Sequence, residues 1–242
     1  MNLNKLILTK NNCYKTGRTI KVKGIMVHST GANNPWLKRY LPDDGKIGKN
    51  QYGNNWDTPL PGGIQVCVHG FIGKLADGTV ATYQTLPWNH RGWHAGGSAN
   101  NTHIGFEICE DGLTDRTYFE KVYKEVTELC AYLCKEYGLT EKDIIDHSEG
   151  YKKGIASNHG DVKHWFSKHG KTMDDFRADV KKLLNNTQTE LKELTSVNDI
   201  VWELEHRDII TDKELWLTKL EEDKNSYWLA RKTVKYLKSK DV

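Results

Sequence analysis

Two short apolar runs far apart in the chain each deliver a histidine. One is Gly24-Ile25-Met26-Val27-His28-Ser29-Thr30-Gly31; the other is Ile144-Ile145-Asp146-His147-Ser148-Glu149-Gly150. Residues 21–28 alternate and then run apolar through Val22, Ile25 and Val27, which predicts a strand with His28 at its C-terminal end, opening onto a glycine turn. His147 falls in a loop-like segment that also supplies His159, Asp161 and His164. One histidine at a strand end is more often a satisfied structural residue than a ligand. Two of them with a carboxylate nearby are what a borderline-soft divalent ion such as zinc takes, and three protein ligands leave a fourth position open. A fold that serves this pattern must bring both runs to one place.

The rest of the chain reads as a mixed α/β protein, with a central mixed sheet flanked by helices. Val66-Cys67-Val68-His69-Gly70-Phe71-Ile72 and Thr79-Val80-Ala81-Thr82-Tyr83-Gln84 flank Ala76-Asp77-Gly78, a hairpin signal. Thr102-His103-Ile104-Gly105-Phe106-Glu107-Ile108-Cys109 predicts a central strand with a carboxylate among apolar neighbours. Such a carboxylate is costly to bury and needs a reason. Helices are expected over 118–137, stopping at Gly138, and over 174–184. The polar, aperiodic stretch 31–61 predicts a long loop with one short helix. In it and beyond it, Trp36, Tyr40, Trp56 and Trp88 either line a groove or fill the core.

The 242 residues are 37% hydrophobic, enough for a sizeable core. A net charge of +3 is too balanced to argue for a nucleic-acid footprint. No stretch is apolar enough to span a bilayer, and the first ten residues lack the apolar run of a signal peptide, so synthesis in the cytoplasm is expected. Five cysteines without a CxxC pair predict reduced core thiols.

Several motifs, in order, resemble the type-2, zinc-dependent N-acetylmuramoyl-L-alanine amidases, a family shared with phage lysins and peptidoglycan recognition proteins. They are Met26-Val27-His28-Ser29-Thr30, Val68-His69-Gly70-Phe71-Ile72 with Asp77-Gly78-Thr79-Val80, Trp93-His94-Ala95-Gly96, Ile104-Gly105-Phe106-Glu107, and His147. The resemblance covers about residues 20–185. It implies one catalytic Zn2+ held by His28, His147 and Asp161, with Glu107 as catalytic acid/base. Ser157-Asn158-His159-Gly160-Asp161 departs from the family's Lys-x-Asp-Pro or Lys-x-Cys-Pro pattern. It puts His159 where the lysine stands, which implies a role for His159 at the developing oxyanion and leaves His159 and His164 as rival third ligands. Trp93, His94 and His69 are implied substrate contacts, His69 with a structural hydrogen-bonding role as its alternative. The implied reaction separates the lactyl group of N-acetylmuramic acid from L-alanine of the stem peptide. The implied partner is the bacterial cell wall.

The domain expectation is an amidase domain over 1–187, a linker over 188–195 and a helical module over 196–242. Capping-box-like starts at Ser196-Val197-Asn198-Asp199 and Thr211-Asp212-Lys213-Glu214, and a third helix from about Ser226, define that module. Its expected use is wall attachment through Trp202, Trp216, Trp228 and the Lys-rich last helix, with homodimerisation as the alternative. The biological role expected is an endolysin of a phage or prophage of a clostridia-like Gram-positive host, reaching the wall by holin or lysis. The alternatives are an autolysin, a muropeptide-recycling amidase, or a non-catalytic recognition protein.

Overall fold

The computed structural model describes residues 1–63, 65–192, 196–207, 209–238 and 240, with 186–192 described as backbone only. Two compact units result, Met1–Lys181 and Lys182–Val242.

The first unit is built on a six-stranded sheet. Its strands are β1 (Leu3–Lys5), β2 (Gly24–Ser29), β3 (Gly70–Lys74), β4 (Val80–Gln84), β5 (His103–Ile108) and β6 (Ile144–Asp146), in the order β1-β4-β3-β5-β2-β6. Only β3 and β4 pair antiparallel; they form the expected hairpin, with Phe71 opposite Tyr83 and Ile72 opposite Thr82. Gly78 takes φ +84 in its turn, and Asp77 Oδ1 accepts from the Thr79 N–H at 2.9 Å. The other pairs are parallel. β2 lies between β5 and β6 and is buried at every position, as a central parallel strand covered on both faces must be.

Side-chain alternation assigns the layers. Phe71, Ala81 and Tyr83 face a cluster completed by Leu37, Tyr40, Leu41 and Ile47. The aperiodic 31–61 stretch is therefore largely core cover, with Leu37–Arg39 as its one short 3-10 turn. Tyr40 and Trp88 are buried and Trp56 packs on this cluster, so these rings fill the interior. On the other face, Thr82 Oγ1 donates to Glu125 Oε1 at 3.0 Å. Glu125 belongs to the helix Arg116–Tyr137, which is capped by Asp115 and ends at Gly138 in the left-handed region.

Two short elements differ from the sequence reading. Residues Asn12–Thr16 form α1, and the Arg116–Tyr137 helix is α2. His147 does not sit in a loop: it is the first residue of α3 (His147–Lys152), where Asp146 Oδ1 accepts from the Glu149 N–H at 2.6 Å and Glu149 Oε2 accepts from the Asp146 N–H at 3.2 Å. Asp146-x-x-Glu149 is thus a capping box immediately after β6. Arg177, on the later helix Met173–Lys192, forks onto Glu149 at 2.9 and 3.0 Å and reaches Ile144 O at 3.1 Å, pinning that turn.

The Lys163–Phe166 turn is α4, and Met173–Lys192 is α5. α5 extends past the expected 184, so the stretch taken as linker is helical as far as Lys192; 193–195 lie outside the described residues. The second unit holds α6 (Val197–His206), α7 (Lys213–Glu222) and α8 (Lys224–Lys238) around Ile200, Val201, Leu204, Ile210, Leu220, Ala230 and Val234. Ser196 and Asp199 form the expected capping box, while Asp212 rather than Thr211 caps α7.

The expectation of five reduced thiols fails for two of them. Cys13 and Cys67 form a disulfide with Cα atoms 6.4 Å apart, and Cys109, Cys130 and Cys134 are buried free thiols. Spacing hid the pair: α1 folds onto the segment before β3, and Tyr14 and Leu86 enclose the bridge. The bridge closes a sequence separation of 54, for which chain entropy gives about 4 kcal/mol. Thermal unfolding with and without reductant should show a lower Tm when reduced, whereas an unchanged Tm would mean that the bridge adds no stability.

Candidate metal centre and catalytic site

Register explains why distant residues meet. His28 pairs with Glu107 across β2 and β5, and Val27 pairs with Asp146 across β2 and β6, so His147 lies one step beyond, beside His28. Three adjacent strands thus present His28, Glu107 and His147 at their carboxyl ends, the edge where parallel sheets place ligands. The loop between α3 and α4 closes over this edge and brings Asp161. His147 N–H donates to Asp161 O at 3.1 Å, fixing that loop to the start of α3.

His28, His147 and Asp161 form one cluster, with a ligand atom from each within 4.8 Å of the others. His28 Nδ1 lies 3.0 Å from Asp161 Oδ2 and 3.1 Å from His147 Nδ1; His147 Nδ1 lies 3.6 Å from Asp161 Oδ1. Two nitrogens and a carboxylate at this spacing suit a tetrahedral zinc with one position left over. Of the three candidates for the third ligand, Asp161 alone is in the cluster. His159 is exposed, its ring 4.6 Å from that of His147, with Nδ1 3.0 Å from Ser157 Oγ. His164 turns instead to Glu110, Nε2 to Oε1 at 2.9 Å.

A cavity of about 610 Å³ opens on this cluster, and Trp93, His94, Glu107, Ser157, His159 and His164 line it. Trp93 is 42% exposed, with the Arg91 guanidinium 4.3 Å from its ring centroid, so an aromatic face is offered to a ligand. His69 does not reach the cavity. It is fully buried, donating from Nε2 to His90 O at 2.8 Å and accepting at Nδ1 from the Gly105 N–H at 3.0 Å, so the substrate contact implied for it gives way to a structural role. Sequence reasoning overlooked Ser157, whose Oγ lies 3.2 Å from His147 Nε2. It also overlooked Glu110, buried at 3% exposure, whose strand-end position beside Glu107 was the available signal.

Electrostatics follow from burial. Burial pushes His28 below its usual range, with the Asp161 carboxylate pulling the other way. Burial also lowers His69, to about 4. For Asp161, burial raises the carboxyl, but hydrogen bonds to His147 and His28 outweigh it and hold it well below the ordinary range. Glu107 is pushed up to about 8, first by burial and then by the Asp161 and Glu110 carboxylates. Its Oε2 is enclosed without a hydrogen-bond partner. What these groups can do together is hold a divalent cation and move a proton beside it.

Residues 18–163 match the Amidase_2 family, N-acetylmuramoyl-L-alanine amidase. The chain belongs to that family. It is 27% identical over 135 residues to the N-acetylmuramoyl-L-alanine amidase XlyA of Bacillus subtilis, covering 48% of this chain and 42% of that protein. It is 37% identical over 71 residues to CwlH, an N-acetylmuramoyl-L-alanine amidase of the same organism, covering 28% and 27%. The chain thus spans less than half the length of these curated relatives. Among solved structures, the Staphylococcus aureus hydrolase AmiA in complex with its ligand superposes with a TM-score of 0.52 at 19% identity, over 76% of this chain and 82% of that one. PlyL gives 0.50 at 20% identity, over 75% and 96%. These two agree with the mixed α/β fold.

The raised Glu107 carboxyl has a thermodynamic consequence in the metal-free protein. Between its ordinary value of 4.5 and about 8, the unfolded chain releases this proton while the folded chain keeps it, so stability falls as pH rises. Glu107→Gln cannot ionise. With chelator present, its Tm relative to wild type should rise by several degrees between about pH 5 and about pH 8. A constant difference across that range would show that Glu107 is not held protonated.

Proposed function

We propose that this chain is a zinc-dependent peptidoglycan hydrolase cleaving the amide between the lactyl group of N-acetylmuramic acid and L-alanine. The observation that carries the reading is the meeting of His28, His147 and Asp161 with the enclosed Glu107 in one open cavity. The family membership and the XlyA and CwlH relatives support the same reaction.

His28, His147 and Asp161 would hold the zinc. When bound, the ion supplies Lewis-acid polarisation of the scissile carbonyl and a lowered pKa for water, towards about 7. Glu107 takes the proton of the attacking water and passes it to the leaving L-alanine amine. Its half-buried position beside the strand ends suits a group that must bind and release one proton per turnover. His159 lies with Nδ1 3.0 Å from Ser157 Oγ at the cavity lining, where a ring N–H serves the oxyanion as charge develops. Trp93 packs against the substrate from the rim.

A recognition protein without catalysis would dispense with a ligand or the acid; all four groups are retained here. The endolysin role is part of this proposal, and the helical second unit supports its wall-attachment component. Trp202 and Trp228 of that unit are more than half exposed, which favours wall attachment over an internal packing role. Among the described residues no helix is long and apolar enough to cross a membrane.

Purified protein should free amino groups from Gram-positive cell walls without new reducing ends; reducing ends would mean a glycosidase. Chelation should abolish turnover and zinc restore it. Glu107→Gln should retain the metal and lose at least about 100-fold in rate, and comparable turnover in that variant would remove Glu107 from the mechanism. A chain ended at residue 190 that binds walls as tightly as the full chain would remove attachment from the second unit.

A further inference from the structure

We infer that His94 is a positioning residue that fixes the tautomer of His28, so that Nδ1 carries the lone pair facing Asp161 and His147 while Nε2 carries hydrogen. The inference rests on the metal-centre reading above and concerns the loaded protein, where a cation between His28 Nδ1, His147 Nδ1 and Asp161 lets all three face it with lone pairs.

The argument starts at a backbone carbonyl. His94 Nε2 lies 3.2 Å from His103 O, and a carbonyl oxygen only accepts, so Nε2 carries the hydrogen. A neutral imidazole has one N–H, which makes His94 Nδ1 an acceptor. That atom lies 2.9 Å from His28 Nε2. Two lone pairs at that distance would repel, so His28 Nε2 donates. His28 Nδ1 is then the unprotonated atom, the one 3.0 Å from Asp161 Oδ2 and 3.1 Å from His147 Nδ1. The carbonyl of His103 thereby sets the state of a ring it does not touch.

The same accounting leaves His94 no ring nitrogen for a substrate, so the contact implied for it by resemblance is replaced by this role. Its placement is built from several directions. A Cβ on Gly105 would stand 2.3 Å from His94 Nδ1, and one on Gly92 would stand 2.8 Å from its Cδ2, so two glycines form the slot that admits the ring. Asn100 Oδ1 accepts from the backbone N–H groups of His94 and Ala95, both at 2.8 Å, and holds the turn that carries it. His147 shows a parallel arrangement: its Nε2 lies 3.2 Å from Ser157 Oγ, whose own hydrogen has Ala95 O at 3.3 Å or His159 Nδ1 at 3.0 Å, leaving His147 Nδ1 for the cluster.

The test uses the full chain and zinc alone. In the zinc-loaded protein, long-range proton–nitrogen NMR of the histidine rings should find His28 with hydrogen on Nε2 and zinc on Nδ1. His94→Phe keeps a ring in the slot but removes the acceptor; zinc affinity, read by competition with a chelator, should fall about 10- to 100-fold. His94→Asn returns an oxygen near the Nδ1 position and should recover affinity to within a few fold. In the zinc-loaded wild type, a His28 ring without hydrogen on Nε2, or zinc on Nε2, would overturn the inference. So would an unchanged affinity in His94→Phe. A protein that passes these tests yet cleaves no wall amide would remove the proposed function and leave the tautomer assignment standing.

Discussion

The structure depends on the parallel register of three neighbouring strands. Because His28 pairs with Glu107 and Val27 with Asp146, the carboxyl-end regions of β5 and β2 and the residue after β6 bring Glu107, His28 and His147 side by side. A shift of one residue in either pair would turn a side chain to the opposite face of the sheet. The apolar runs Ile25-Met26-Val27 and Ile144-Ile145 resist such a shift, since both are buried between layers. Core packing and site geometry are therefore one constraint.

What stands at those strand ends is costly to assemble. Two imidazole nitrogens and a carboxylate converge with little solvent, and a second carboxyl lies enclosed nearby. Unpaired buried polar groups of this kind are destabilising, and each demands an account. A dication would offset the cost at the cluster, because all three groups favour it. Glu107 has no such partner among the described residues; its elevated proton affinity is the expression of that isolation, and the proposed reaction makes use of it.

Much of this was legible from residues alone, for identifiable reasons. His28 and His147 follow short apolar runs that read as strands, Asp77-Gly78 between two β-rich runs reads as a hairpin turn, and Glu107 stands out as an acid among Ile104, Phe106 and Ile108. The rest depends on tertiary proximity. The Cys13–Cys67 pair has no local spacing signal, and the 31–61 stretch lacks periodicity because its aromatics cover a sheet face from an irregular backbone. Asp146-x-x-Glu149 was readable as a capping box, yet the histidine between them drew the reading towards a loop. His69 and His94 look alike in sequence, each within two residues of a glycine; hydrogen-bond partners separate a ring that braces β5 from one that touches the cluster.

X-ray absorption at the zinc edge of the purified, loaded protein tests the central claim most directly. The account predicts one zinc per chain, bound by two imidazole nitrogens and one carboxylate oxygen, with one further light-atom ligand and no sulfur. Zinc bound by cysteine sulfur, by three imidazoles, or not retained at all would contradict it.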